Sequence, residues 1–204
     1  MTEITDALTA RRVWIVVRDQ PSEDGILLGN MDVAIRPSSR QVYERLRRLL
    51  PESTGTVFHA SPSRRAQQTA SRLYPEVQWS RADSLGPRLY GAWQGLTWQE
   101  VRRRDAVRAE SFWRDSGSPR PPDGESMDDI AERWSGFSTG LVNQTDWSQA
   151  VLMTHPEVAR AAICSVLDLK LAHATRIHIE PLTVVGFSWS FLGWRLDELH
   201  TRTA

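Results

Sequence analysis

The chain has 204 residues, 40% of them hydrophobic and 25% charged, and its 25 Lys plus Arg balance 25 Asp plus Glu to a net charge of zero. That is ordinary for a soluble globular protein, and it excludes a global charge that would steer the chain to nucleic acid or an anionic membrane. A single cysteine, Cys164, excludes an internal disulfide, and the longest apolar runs, such as residues 13–17, are far too short to span a bilayer.

In chain order, the N-terminus carries Glu3 and Asp6 and lacks the basic-then-apolar order of a signal peptide, so a cytoplasmic location is expected. Residues 13–17 are a continuous apolar run rich in β-branched residues, which predicts a strand covered on both faces. Residues 25–37 read as a long loop. Ser38 or Ser39 can cap a helix with Val42, Leu46, Leu49 and Leu50 inward, stopped by Pro51. A short strand at 56–59 precedes a helix over 63–73, with Ala66, Thr69, Ala70 and Leu73 inward. Residues 82–95 are loop-like, 97–113 predict a polar helix, and 115–125 a Pro/Gly-rich loop. Ser126 followed by Asp129 is a capping-box start for a helix carrying Met127, Ile130, Trp134, Phe137 and Leu141. Residues 150–154 predict another buried strand, with Pro156 opening the next helix. The tail predicts three antiparallel strands, at 177–180, 182–189 and 193–199. Strands alternating with helices give a three-layer α/β fold, a mostly parallel central sheet with antiparallel strands at its C-terminal end. One domain over residues 1–204 is expected.

Two strand ends carry polar residues: Arg18-Asp19-Gln20 after the first strand and Thr154-His155-Pro156 after the later one. Ligands of open α/β sheets sit beyond the carboxyl ends of the strands, so both segments address one crevice if the strands are neighbours. The blocks between them are specific. Residues 60–70 (Ala-Ser-Pro-Ser-Arg-Arg-Ala-Gln-Gln-Thr-Ala) resemble the S-S-x-L-x-R-A-x-Q-T-A segment of the histidine phosphatases. Residues 90–97 (Tyr-Gly-Ala-Trp-Gln-Gly-Leu-Thr) look like that family's F-G-x-W-E-G-L-T. Residues 121–126 look like its P-P-G-G-E-S, and 151–155 like its V-V-x-T-H. Five blocks in the family's order over residues 12–165 resemble the phosphoglycerate-mutase-like histidine phosphatases. The 25–35 loop and Ser61-Pro62 look nearest to the α-ribazole phosphatase branch.

The resemblance implies that fold, a phosphate-binding site, and a phosphorylated histidine at the end of the first strand, in the order R-H-G. Here the arginine is Arg18, but the histidine position reads Asp19 and the glycine Gln20. The family's second arginine maps to Arg65, its second histidine to His155, and its proton-donating acid to Pro87. An Asp oxygen falls roughly 2 Å short of where a His Nε2 would reach, and proline supplies no proton.

Three readings stay open. In one, Arg18 and Arg65 bind a phosphate- or carboxylate-bearing small molecule while Asp19 and His155 act as an acid–base pair in a repurposed enzyme. In another, the chain is a pseudophosphatase that binds without turnover; residual phosphomonoesterase activity is the third. Gln20, Glu157 and Trp93 are further candidates for the ligand site. The plainer alternatives are a strand-end ion pair for Arg18 and Asp19 and a scaffold role for His155. No metal-ligand spacing is present, no cofactor is expected, and the anticipated partner is an anionic small molecule, not nucleic acid or membrane. A homodimer is allowed.

Overall fold

The computed structural model describes residues 11–115 and 117–201; the stretch with Glu3 and Asp6 lies outside them. Its strands are β1 (Arg11–Val17), β2 (Thr56–Ala60), β3 (Ser80–Arg81), β4 (Gln149–Thr154), β5 (Val184–Ser190) and β6 (Gly193–His200). They form one sheet in the order β3-β2-β4-β1-β5-β6. The pairs from β3 to β1 are parallel, while β1–β5 and β5–β6 are antiparallel. The helices are α1 (Arg40–Arg47), α2 (Arg64–Leu73), α3 (Trp98–Arg104), α4 (Ala106–Arg114), α5 (Met127–Val142) and α6 (Pro156–Val166).

The continuous apolar runs make sense on a sheet covered twice. Val13, Ile15 and Val17 face one core with Ile130 and Trp134 of α5 and Ala161 and Ala162 of α6. Trp14 and Val16, pointing the other way, face a second core with Tyr43 and Leu46 of α1 and Ala66 and Ala70 of α2. Each such aliphatic side chain contributes about 1.5–3 kcal/mol through burial. Cys164 is buried in the first core, as its apolar surroundings in the sequence suggest. The α/β architecture expected from the sequence is therefore the one observed. Among the described residues, no helix is long and apolar enough to cross a membrane.

Two elements differ from expectation. The helix expected over 97–113 is broken at Asp105, which has φ −145° and ψ 57°. Three consecutive arginines end α3, and Asp105 starts α4 as its N-cap residue, a position aspartate favours over a helix interior. The strand expected at 177–180 is absent. There β1 pairs directly with β5, Pro181 has no N–H to give a ladder, and Leu182 takes a positive φ of 65°.

Candidate functional site

Parallel pairing sets Val17 opposite Thr154, so the chain leaves β1 and β4 side by side, and Arg18 N donates to Thr154 O at 2.9 Å. Beyond these ends lies a cavity of about 140 Å³. That is room for several waters or a small anionic group, and below the roughly 300–1,000 Å³ of pockets for drug-sized ligands. Arg18 and Arg65 line it with His155 and Glu157; residues 26–29 close one side, and Pro87, Arg88 and Tyr90 the other.

That second side is fastened from below. Thr154 Oγ1 donates to Leu85 O at 2.7 Å, and the Arg133 guanidinium of α5 holds Ser84 O, Pro87 O and the Glu125 carboxylate. Gly91 allows the loop to lie flat on the 121–124 turn. Its φ is +49°, and a Cβ there would collide with the backbone of Pro122 and Asp123.

Arg65 and Arg88 are buried and Arg18 is half-buried, and among the described residues no carboxylate is bonded to any of the three. Arg18 Nη1 donates to Asp19 O at 3.1 Å, and its Nε is buried without a partner. Arg65, 2% exposed, gives Nη1 to Met31 O at 3.0 Å and Nη2 to Gly29 O, leaving its Nε also unpartnered. Arg88, 4% exposed, donates Nε to Glu125 O at 2.8 Å and lies 4.3 Å from the centre of the Phe112 ring. Burial lowers the pKa of all three, that of Arg65 to about 10 with Arg18 adding to the effect. All remain cations at neutral pH.

His155 is fully enclosed. Its Nε2 lies 2.9 Å from Ser61 Oγ and 3.0 Å from Ser63 Oγ. Ser63 N donates to Ser61 Oγ, Ala66 N to Ser63 Oγ at the start of α2, and Ser61 Oγ to Ser63 Oγ at 3.3 Å, so the two serines and the ring form one hydrogen-bonded cluster. Burial, then the charges of Arg65, Arg18 and Arg133, push its pKa well below 6.5. The ring is thus neutral when folded, and the unfolded chain takes up a proton first as pH falls. Stability should therefore drop below pH 6.5, by at most about 1.4 kcal/mol per pH unit from this group. Urea midpoints across pH 5–7 should fall more steeply for wild type than for His155→Gln; equal slopes would mean His155 titrates normally. Comparing the two proteins cancels His59, whose pKa burial also lowers.

Asp19 is placed differently from the sequence expectation. Its carboxylate is 0% exposed and is not part of the cavity lining. Oδ1 accepts from Gln20 N at 2.8 Å and Ser38 Oγ at 2.9 Å; Oδ2 accepts from Ser38 N at 2.6 Å and Tyr43 Oη at 2.8 Å. All four acceptor directions of a carboxylate are used. No hydrogen bond joins Asp19 to His155, so the structure does not bring the expected acid–base pair together. The short side chain turns toward the start of α1, where Ser38 and Tyr43 supply donors.

Gln20 uses its backbone N–H on Asp19 and its carbonyl on Arg36 N, and it does not line the cavity. Trp93, 3% exposed, packs with Leu27, Val101 and Phe112 beneath the loop and is likewise absent from the lining. Arg18, Arg65, His155 and Glu157 are brought together as expected. Sequence reading missed Arg88, Tyr90 and the two serines on His155. The available signals were Arg88 beside the acid-position Pro87 and Ser61 and Ser63 inside the 60–70 block. Among the described residues, no three His, Cys, Asp or Glu side chains gather as metal ligands.

Comparison with known proteins agrees with this architecture. The family described as Histidine phosphatase superfamily (branch 1) matches residues 18–202. A 2,3-bisphosphoglycerate-dependent phosphoglycerate mutase from Bartonella henselae is 30% identical over 128 residues, 58% of this chain and 62% of that protein. A 6-phosphofructo-2-kinase/fructose-2,6-bisphosphatase from Arabidopsis thaliana is 28% identical over 149 residues, 72% of this chain and 19% of that protein. The chain thus spans less than two thirds of either relative's length. Among solved structures, a putative α-ribazole-5'-phosphate phosphatase from Escherichia coli superposes with a TM-score of 0.83 at 17% identity, covering 95% of this chain and 98% of that one. A mycobacterial glucosyl-3-phosphoglycerate phosphatase does so at 0.80 and 23%, covering 95% and 100%. At these identities the two structures share the fold with this chain.

Proposed function

The chain belongs to the histidine phosphatase superfamily, and from that premise we propose that it binds a small phosphate- or carboxylate-bearing molecule without phosphohistidine chemistry. One observation carries this reading: the cavity holds three arginine side chains, while the residue at the family's histidine position turns its carboxylate away from it. An anion there would meet Arg18 and Arg65, each with a buried Nε lacking a partner, and guanidinium groups favour phosphate and carboxylate through paired, charge-assisted hydrogen bonds. The neutral ring of His155 adds no charge, and its Nε2 is taken up by serine hydroxyls. Acid–base chemistry shared by Asp19 and His155 has less support, because each side chain is engaged by different partners.

Calorimetric titration of inorganic phosphate at low salt tests the reading. Wild type should bind, and Arg18→Ala should weaken binding by about 1.5–3 kcal/mol, the value of a hydrogen bond to a charged group. Arg18 is the cleaner choice, because Arg65 also holds the carbonyls of Gly29 and Met31. Absence of binding by wild type would leave the arginines as scaffold.

A further inference from the structure

Glu157 is out of place in a site built for anions. It stands in the first turn of α6, lines the cavity with Arg18, Arg65 and Arg88, and its charge acts on all three. Yet among the described residues its carboxylate makes no hydrogen bond and no ion pair within 4 Å. A carboxylate bonded to an arginine would close the site; one held apart leaves a gap for a ligand to bridge.

Charge sets the terms. Three arginines against one carboxylate, with His155 neutral, leave two positive charges, which a dianionic phosphate monoester balances by itself. A second anionic group on the ester arm would exceed that balance and meet Glu157, and like charges placed together repel. A hydroxyl on the arm would instead donate to Glu157, a short charge-assisted bond, without adding a fourth cation to the cavity.

Resting on the anion-binding reading above, we propose that Glu157 is a specificity residue. It selects small phosphate monoesters whose arm ends in a hydroxyl and rejects those whose arm ends in a carboxylate. The phosphate lies among the arginines and the arm points to the start of α6. The limited cavity, about 140 Å³, suits an arm of a few atoms.

A matched pair of ligands tests this. Glycerol 3-phosphate and 3-phosphoglycerate differ at one end, where a CH2OH replaces a carboxylate. Wild type should bind glycerol 3-phosphate at least about tenfold more tightly, the equivalent of 1.4 kcal/mol. Glu157→Gln should bring the two within about threefold, chiefly by strengthening 3-phosphoglycerate. The wild-type comparison needs no variant, so it stands even if a substitution disturbs α6. Binding of inorganic phosphate with no preference between the esters would overturn the role of Glu157 and leave the anion site intact. A preference that survives unchanged in Glu157→Gln would also overturn it. Failure of inorganic phosphate to bind would remove the anion site and this inference with it.

Discussion

Asp19→Ala is expected to destabilise the fold by about 3–5 kcal/mol. The substitution strands the donors Ser38 N, Ser38 Oγ, Tyr43 Oη and Gln20 N, at roughly 1–3 kcal/mol for each that stays buried and unpaired, with entering water recovering part. At roughly 2–4 °C per kcal/mol for a chain of this size, the melting temperature should fall by roughly 6–20 °C. Asp19→Asn should cost less, about 1–3 kcal/mol, because the amide keeps one acceptor oxygen but turns an NH2 toward a donor. Tyr43→Phe should cost about 1 kcal/mol. In the double variant the costs should sum to less than the two singles, since both remove the same bond. A melting temperature within a degree of wild type for Asp19→Ala would show that the carboxylate is not a structural tie, and would reopen it to chemistry.

Asp19 also shows where the sequence stops being informative. Its position was legible: an apolar run rich in β-branched residues ends at Val17, so Arg18 and Asp19 must sit at the carboxyl end of a strand. Its direction was not, because the partners that fix it arrive 19 and 24 residues later, on Ser38 and Tyr43. Spacing shows which strand end a residue occupies, whereas a tertiary contact decides which way a short carboxylate side chain turns. The same distinction explains the rest. The strands β1 and β4 and the helices α2, α5 and α6 were legible because each carries a face-consistent apolar pattern and a start signal, such as the Ser126–Asp129 capping box. Arg88 was not, since its burial depends on Phe112 and on the Glu125 carbonyl, both in other elements. Trp93 was a candidate for the ligand site, but a large indole finds more apolar area under the loop with Phe112 and Trp98.

The largest expected effect is on catalysis. A phosphoryl-accepting group needs a free lone pair in line with phosphorus, and Asp19 has all of its acceptor directions occupied outside the cavity. Misplacement by about 1 Å already costs ~10²-fold. The resemblance implies that the family's proton-donating acid falls on Pro87, which lines the cavity and offers no proton, and a missing general acid costs a further 10²–10⁴-fold or so. Set against a typical turnover of about 10 s⁻¹, these losses put hydrolysis of an alkyl phosphate monoester, whose departing alkoxide needs that proton, below about 10⁻³ s⁻¹. No acid-labile phosphoenzyme should accumulate on incubation with a labelled phosphate donor. Asp19→His should gain less than tenfold, since Gln20 and Pro87 remain and the imidazole must abandon the bonds to Ser38 and Tyr43. Its melting temperature should also fall. Turnover near 1 s⁻¹ in wild type, abolished by Asp19→Asn at unchanged stability, would show that the carboxylate leaves its four partners to attack phosphorus, and the binding-protein reading would then be wrong.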